Sequence, residues 1–220
     1  MTKSGKSENS DCVDGIVFLT DLDAVRARPR MFVGDTDDGS GLHHMVYELI
    51  YNAMDKALAG PASLVVVTLN FDGSCTVADN GRGLSTDIDP HAGLSTAEMI
   101  MTRLPCGNPY KVPEYPQGVG VAMVNALSSR LTLRIWRGGQ EYMMRFADGA
   151  VDAPLRVVAP SHDRQGTEIT FLPSPRIFSR TVFDHVVLEP RLSELAALPA
   201  GPRIVLTDRR GSTPRSTQLP

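Results

Sequence analysis

The chain has 220 residues, 42% of them hydrophobic and 21% charged, with a formal net charge of -3. That is enough apolar material for one domain with its own core, so neither disulfides nor a structural metal is needed for stability. The mildly acidic balance, with a pI of about 5.9, excludes a broad basic face that grips DNA, though local patches stay open.

Cys12, Cys75 and Cys106 stand far apart and make no CxxC pair. The spacing suggests neither a zinc site nor a redox pair, and an odd cysteine count fits a reducing, cytoplasmic setting. No apolar run has the length of a signal-peptide core or a membrane span, so no membrane partner is expected.

In chain order, Met1 to Asp14 is polar and rich in Ser, Lys, Asp and Glu, and reads as a disordered arm. Gly15 to Leu19 is a short apolar patch that could anchor it. Asp21 to Arg28 predicts a short helix stopped by Pro29, and Phe32 to Gly41 a loop. Leu42 to Ala59 is the strongest predicted helix: Val46, Leu49, Ile50, Ala53 and Ala57 recur at helical spacing, and Gly60-Pro61 ends the run. Leu64 to Asn70 and Ser74 to Asp79 predict strands joined by an Asp72-Gly73 hairpin turn. Ala97 to Leu104 predicts a helix, Pro105 to Gln117 an extended loop, and Gly120 to Ser128 a helix opening behind a glycine pair. Strands are predicted at Leu131 to Arg137, Glu141 to Ala147, Leu155 to Val158 and Thr167 to Leu172. Phe183 to Leu198 carries a helical pattern interrupted by Pro190, Arg203 to Thr207 is a last short strand, and 209–220 is a polar tail. Hairpin-linked strands with interspersed helices imply an α+β sandwich, with helices on one face of a mixed, mostly antiparallel sheet.

Four short segments carry candidate chemistry. Glu48, Asn52 and Asp55 share one face of the long predicted helix, opposite its apolar stripe. Such a face is either solvated or catalytic. In the second case a carboxylate polarises water and an amide oxygen meets magnesium, which prefers hard oxygen ligands. Asp79-Asn80-Gly81-Arg82-Gly83 follows a strand. It is either a plain turn or a carboxylate placed to accept a hydrogen bond from an exocyclic amine such as adenine's, beside glycines that admit a ligand closely. Gln117-Gly118-Val119-Gly120 leads into a helix whose exposed N–H groups suit phosphate, although a single Gly-x-Gly is weak. Gln165-Gly166-Thr167, taken alone, reads as a turn.

The order of these segments resembles the four-box pattern of the GHKL ATPase superfamily. Leu22 to Thr36, Gly41 to Glu48 and Ala57 to Gly60 are closer still to the ATPase domains of gyrase B and topoisomerase IV B proteins, and the resemblance runs from about Leu22 to Asp208. It implies a two-layer GHKL (Bergerat) sandwich over residues 15–208, with a lid at about 105–117, that binds ATP and Mg2+. Glu48 matches the general base and Asn52 the magnesium ligand, with Asp55 in the same ATP site. Asp79 matches the adenine-reading carboxylate, with Thr167 supporting it through a water. Gly81 and Gly83 line the adenine site. Arg82, Ser85 (where the family has proline) and Arg137 lie at its rim, and Gly118, Val119 and Gly120 match the phosphate cradle. The arm before Leu22 matches a segment exchanged between protomers, which implies an ATP-driven homodimer. Gyrase or topoisomerase subunits are the implied protein partners, without strong direct DNA binding by this chain.

The chain also departs from the family. Tyr51 and Lys56 stand where the family has acidic residues, and the second of these normally pairs with an arginine matching Arg137. Lys56 and Arg137 would repel, so that pair must be remodelled. The lid is shorter, with Tyr115-Pro116-Gln117 before the phosphate glycines, and Arg30 replaces a family glycine. The chain stops where the first ATPase subdomain stops, without the transducer whose lysine and glutamine reach the terminal phosphate, so weak hydrolysis in isolation is expected. The alternative is a stand-alone nucleotide-binding adaptor or regulator that has lost hydrolysis. A sensor-kinase-like role is a weaker third reading, since no phosphoacceptor segment is visible.

Overall fold

The computed structural model of the chain describes residues 20–55, 62–104, 120–199 and 201–219, with the backbone of Cys12–Val13 and Ile16–Val17. The expected lid, Gly118, Val119 and Lys56 lie outside the described residues. The elements are β1 (Cys12–Val13), β2 (Ile16–Val17), α1 (Asp21–Ala27), α2 (Arg30–Val33), α3 (Ser40–Met54), β3 (Leu64–Leu69), β4 (Cys75–Asp79), α4 (Thr96–Thr102), α5 (Gly120–Ala126), β5 (Ser128–Arg137), β6 (Gln140–Ala147), β7 (Ala150–Pro160), β8 (Gly166–Pro173), α6 (His185–Ala196), β9 (Arg203–Asp208) and β10 (Arg215–Leu219). β1 and β2 pair with each other, so Cys12–Val13, at the end of the expected disordered arm, is a strand.

The other strands form one eight-stranded sheet in the order β10-β9-β3-β4-β8-β5-β6-β7. Its pairs are antiparallel except β3–β9. Alternation sets the buried face: Cys75 and Val77 in β4, and Leu131, Leu133 and Ile135 in β5, point into the core, as do Ile169 and Phe171 in β8. The helices supply the second layer, with α3 packed on β4 and β8, α5 on β5, and α6 on β9 and β10. This is the expected α+β sandwich. Phe171 and Phe178 are fully buried. Each contributes about 1.5–3 kcal/mol relative to exposure.

α3 begins two residues earlier than its periodicity suggests and leaves helical geometry at Asp55, whose φ of -71° and ψ of 106° are extended. Its start is fixed from two sides. The His43 Nδ1–H donates to the Gly39 carbonyl at 2.6 Å, and His43 Nε2 accepts the Asp184 N–H at 2.8 Å. Both bonds together require the neutral ring, and burial lowers the His43 pKa in the same direction.

Four local features depart from the sequence pattern. α2 takes the first two residues of the expected Phe32 to Gly41 loop, because Pro29, with a φ of -59°, suits a helix start. The expected interruption at Pro190 is absent. α6 runs through it, held by buried Leu188, Leu192 and Leu195, while exposed Val186 and Pro190 leave the unbonded carbonyl to water. β7 is eleven residues long and carries Pro154 and Pro160, which a sheet edge tolerates. The polar stretch after Arg209 includes β10, which completes the other edge by pairing residue for residue with β9. Its pairing is supported by a Thr207–Ser216 hydroxyl contact at 3.0 Å and by buried Leu219.

Candidate nucleotide site

Antiparallel pairing brings the end of β4, the start of β8 and the end of β5 to one end of the sheet. Val65 faces Asp79 across β3–β4, and Ile135 and Trp136 face Thr167 and Gly166 across β5–β8. Asp79 is half-buried there. The Gly81 N–H donates to its Oδ1 at 2.7 Å. Thr167 stands near the same carboxylate, and its N–H and hydroxyl favour the ionised form. The buried Thr167 hydroxyl accepts the Leu84 N–H at 3.2 Å, which ties the start of β8 to the glycine loop. Desolvation outweighs these bonds and raises the Asp79 pKa to about 6.

Two glycines make this packing possible. Gly83 has φ +75°, and a Cβ there would lie 2.8 Å from the Trp136 carbonyl oxygen and 3.0 Å from that of Gly166. Gly166, at φ +132°, is tighter: a Cβ would stand 1.9 Å from the Asp79 carbonyl oxygen. No side chain fits at either position. Gly166 belongs to the site as firmly as Gly83. It is inconspicuous in the sequence, because a glycine before a strand reads as an ordinary turn.

The expected conflict between Lys56 and Arg137 lies outside the described residues, but Arg137 itself is placed. Its Nη1 donates to the Gly83 carbonyl at 2.8 Å, so the guanidinium braces the glycine loop from β5. Arg82 is exposed beside it. The Ser85 hydroxyl turns to Asp87 at 2.6 Å, which closes the loop on itself. The Asn80 side chain accepts the Ser63 and Leu64 N–H groups, each at 2.9 Å, and so fixes the loop to the start of β3.

α3 lies across β4 and β8. Glu48 and Asn52 are buried, 7% and 9% exposed, which rejects the open solvated face for these two residues. Glu48 Oε1 lies 3.3 Å from Nε2 of His44, one turn earlier. His44 carries no role in the sequence reading, although its i, i+4 spacing from Glu48 is an available signal. Asp55 caps the C-terminal end of α3, its N–H bonded to the Asn52 carbonyl at 3.2 Å. Gly120 is the first residue of α5. The fold thus brings Asp79, Gly81, Gly83, Thr167 and Arg137 to one end of the sheet, with Glu48 and Asn52 on the helix that covers its strands.

Tyr51, one of the family departures, has its hydroxyl 2.8 Å from Arg191 Nη2, and Arg191 also pairs with Glu194 at 2.6 Å. The position thus serves the α3–α6 contact.

A sheet end with a glycine-flanked, half-buried carboxylate, covered by a helix bearing a buried Glu and Asn, defines a GHKL-type ATPase fold. Residues 37–177 match the model of the histidine kinase-, DNA gyrase B- and HSP90-like ATPase family, and the chain belongs to that family. Within it, the chain is a gyrase B-like ATPase domain. It is 52% identical over 209 residues to the DNA gyrase B protein of Rickettsia conorii, covering 93% of this chain and 26% of that protein. It is 48% identical over 221 residues to the DNA gyrase B protein of Caulobacter vibrioides, covering 94% and 28%. The chain thus spans about a quarter of the length of these relatives. Among solved structures, it resembles the 43K ATPase domain of Thermus thermophilus gyrase B in complex with an aminocoumarin, with a TM-score of 0.78 and 40% identity over 90% of this chain and 51% of that one.

Proposed function

We propose that this chain binds ATP with magnesium at the Asp79 end of the sheet and hydrolyses it weakly on its own. The observation that carries the reading is the Asp79 carboxylate, oriented by the Gly81 N–H and by Thr167. In this reading Asp79 accepts a hydrogen bond from the adenine amino group, and Gly81 and Gly83 let the ring approach the backbone. Arg137 keeps that loop in place, with Arg82 and Ser85 at the rim. Gly118, Val119 and Gly120 would hold the phosphates through backbone N–H groups.

Glu48 is the general base in this proposal. It takes the proton from the attacking water, while His44 holds the carboxylate through Oε1. Asn52, with Asp55 a turn further on, is the group that would meet magnesium. A single amide oxygen fits an ion that keeps most of its ligands as water and phosphate. When bound, the ion neutralises phosphate charge. Among the described residues no helix is long and apolar enough to cross a membrane. A cytoplasmic role with gyrase or topoisomerase subunits, and a homodimer formed through the N-terminal arm, complete the proposal.

The test compares wild type and Glu48→Ala by calorimetry with ATP and magnesium and by phosphate release. Turnover is expected to fall about 100-fold or more, with ATP affinity nearly unchanged. ATP binding in both proteins with turnover in neither would replace hydrolysis by the adaptor reading. No binding in either would remove both.

A pH series adds an independent check. The adenine amine favours the ionised carboxylate, so affinity should be full at neutral pH and fall as pH drops through about 6. Well below that value the loss approaches tenfold per unit. The sign for folding is opposite. A carboxylate whose folded pKa is raised costs stability at neutral pH, and the cost disappears on acidification. Weaker binding through this group therefore does not require unfolding, and circular dichroism at each pH separates the two effects.

A further inference from the structure

Side chains tie α5 to its neighbours at its C-terminal end. Asn125, next to last in the helix, is fully buried. Its Nδ2 donates to the Met101 carbonyl of α4 and to the Gly149 carbonyl in the β6–β7 turn, each at 3.0 Å. The Met101 carbonyl needs such a donor, because the residue four places on is Pro105, which has no N–H. The turn lies close against the helix: a Cβ on Gly149 would stand 3.3 Å from the Ala126 Cα. Arg26 of α1 adds a third tie. Its Nη1 donates to the Ala126 carbonyl, the last of α5, at 2.6 Å, and its Nη2 pairs with Asp148 of the same turn at 3.0 Å. A cation at a helix C-terminus is favourable.

Cohesion of the core does not explain Asn125. Its Oδ1 is buried with no partner among the described residues, and an unpaired buried acceptor costs stability. A leucine of similar size would avoid that cost. What the amide supplies is two donors in one plane, which join α5 to α4 and to the turn at once. α5 has seven residues, so its first residue, Gly120, lies about 7.5 Å along the axis from Asn125. Over so short a helix, a tilt at one end displaces the other.

On the reading that the start of α5 is the phosphate end of the site, we propose that Asn125 and Arg26 are positioning residues for the triphosphate of ATP. They touch no nucleotide. They hold α5 so that the backbone at its start meets the phosphates. Adenine recognition at Asp79 is built from the ends of β4, β5 and β8 instead. The two residues therefore set how much the phosphates add to affinity and leave adenosine binding as it is.

The experiment is calorimetric titration of the 220-residue chain with adenosine, and with ATP and magnesium, on wild type, Asn125→Leu and Arg26→Met. A thermal melt confirms that each is folded. Asn125→Leu should weaken ATP binding by at least about tenfold and Arg26→Met by about threefold or more, with adenosine affinity unchanged in both. A general loosening of the domain would weaken both ligands together. Folded variants that bind ATP as wild type does overturn the proposal, and so does an equal loss for adenosine and ATP. Arg26 keeps 21% of its side chain exposed, so Arg26→Met decides the matter alone if Asn125→Leu does not fold. A wild type that binds neither ligand overturns the ATP-binding function as well. One that binds ATP no more tightly than adenosine overturns only the role given to α5 and these two residues.

Discussion

Asp79→Asn is expected to weaken ATP binding by at least about 100-fold while leaving the domain folded. The carboxylate offers only acceptors: one oxygen takes the Gly81 N–H at 2.7 Å, and the nearby Thr167 N–H and hydroxyl also favour its charge. An asparagine keeps one acceptor and adds an NH2 group. If the amide oxygen stays on Gly81, the NH2 meets the incoming adenine amine donor to donor. If it turns over, Gly81 loses its partner. A hydrogen bond to a charged group contributes about 1.5–3 kcal/mol, and an unmatched donor in a half-buried pocket adds to the loss. Stability should be little changed or slightly higher, because removing a desolvated charge relieves the burial penalty that raises its pKa to about 6. Calorimetry with ATP, alongside a thermal melt, checks both parts. Affinity within threefold of wild type would place the adenine elsewhere.

The second large effect falls on the fold that frames the site. Gly166→Ala puts a Cβ 1.9 Å from the Asp79 carbonyl oxygen and 2.9 Å from its carbonyl carbon, at a φ of +132° that alanine rarely adopts. Backbone on both sides leaves no flexible side chain to yield. β4 and β8 would have to separate where Ala78 faces Glu168. The expected loss is about 4 kcal/mol or more, which for a domain of this length lowers the melting temperature by about 10 °C. Nucleotide binding should disappear with it, because Thr167 moves with Gly166. A melt within 2 °C of wild type would mean that the β4–β8 contact is looser than the geometry gives.

These two residues also mark what the sequence makes legible. Asp79 stands at the end of an alternating run, just before two glycines, so its place at a strand end follows from local pattern. Glu48 and Asn52 follow from helical spacing. That they are buried does not, since an amphipathic helix looks the same whether its polar face meets water or a pocket. Gly166 owes its importance to a strand far away in sequence, and no local pattern registers that approach. Likewise, the Arg137 contact with Gly83 depends on the β5–β8 register, and Tyr51 turning to Arg191 depends on how α6 lies on α3. The sheet's antiparallel character is readable from hairpin turns such as Asp72-Gly73. β10 is not, because its alternation is polar and its position is set by pairing with β9. α2 is a single turn between Pro29 and Gly34, too short for a period to show.

The most direct measurement is a crystal structure of the chain with a non-hydrolysable ATP analogue and magnesium. The adenine amino group is expected within hydrogen-bonding distance of the Asp79 carboxylate, and the phosphates beside the start of α5 below Asn52. Adenine bound away from Asp79, or an Asp79 pocket occupied by the protein's own side chains at saturating nucleotide, would contradict the proposed role of that carboxylate.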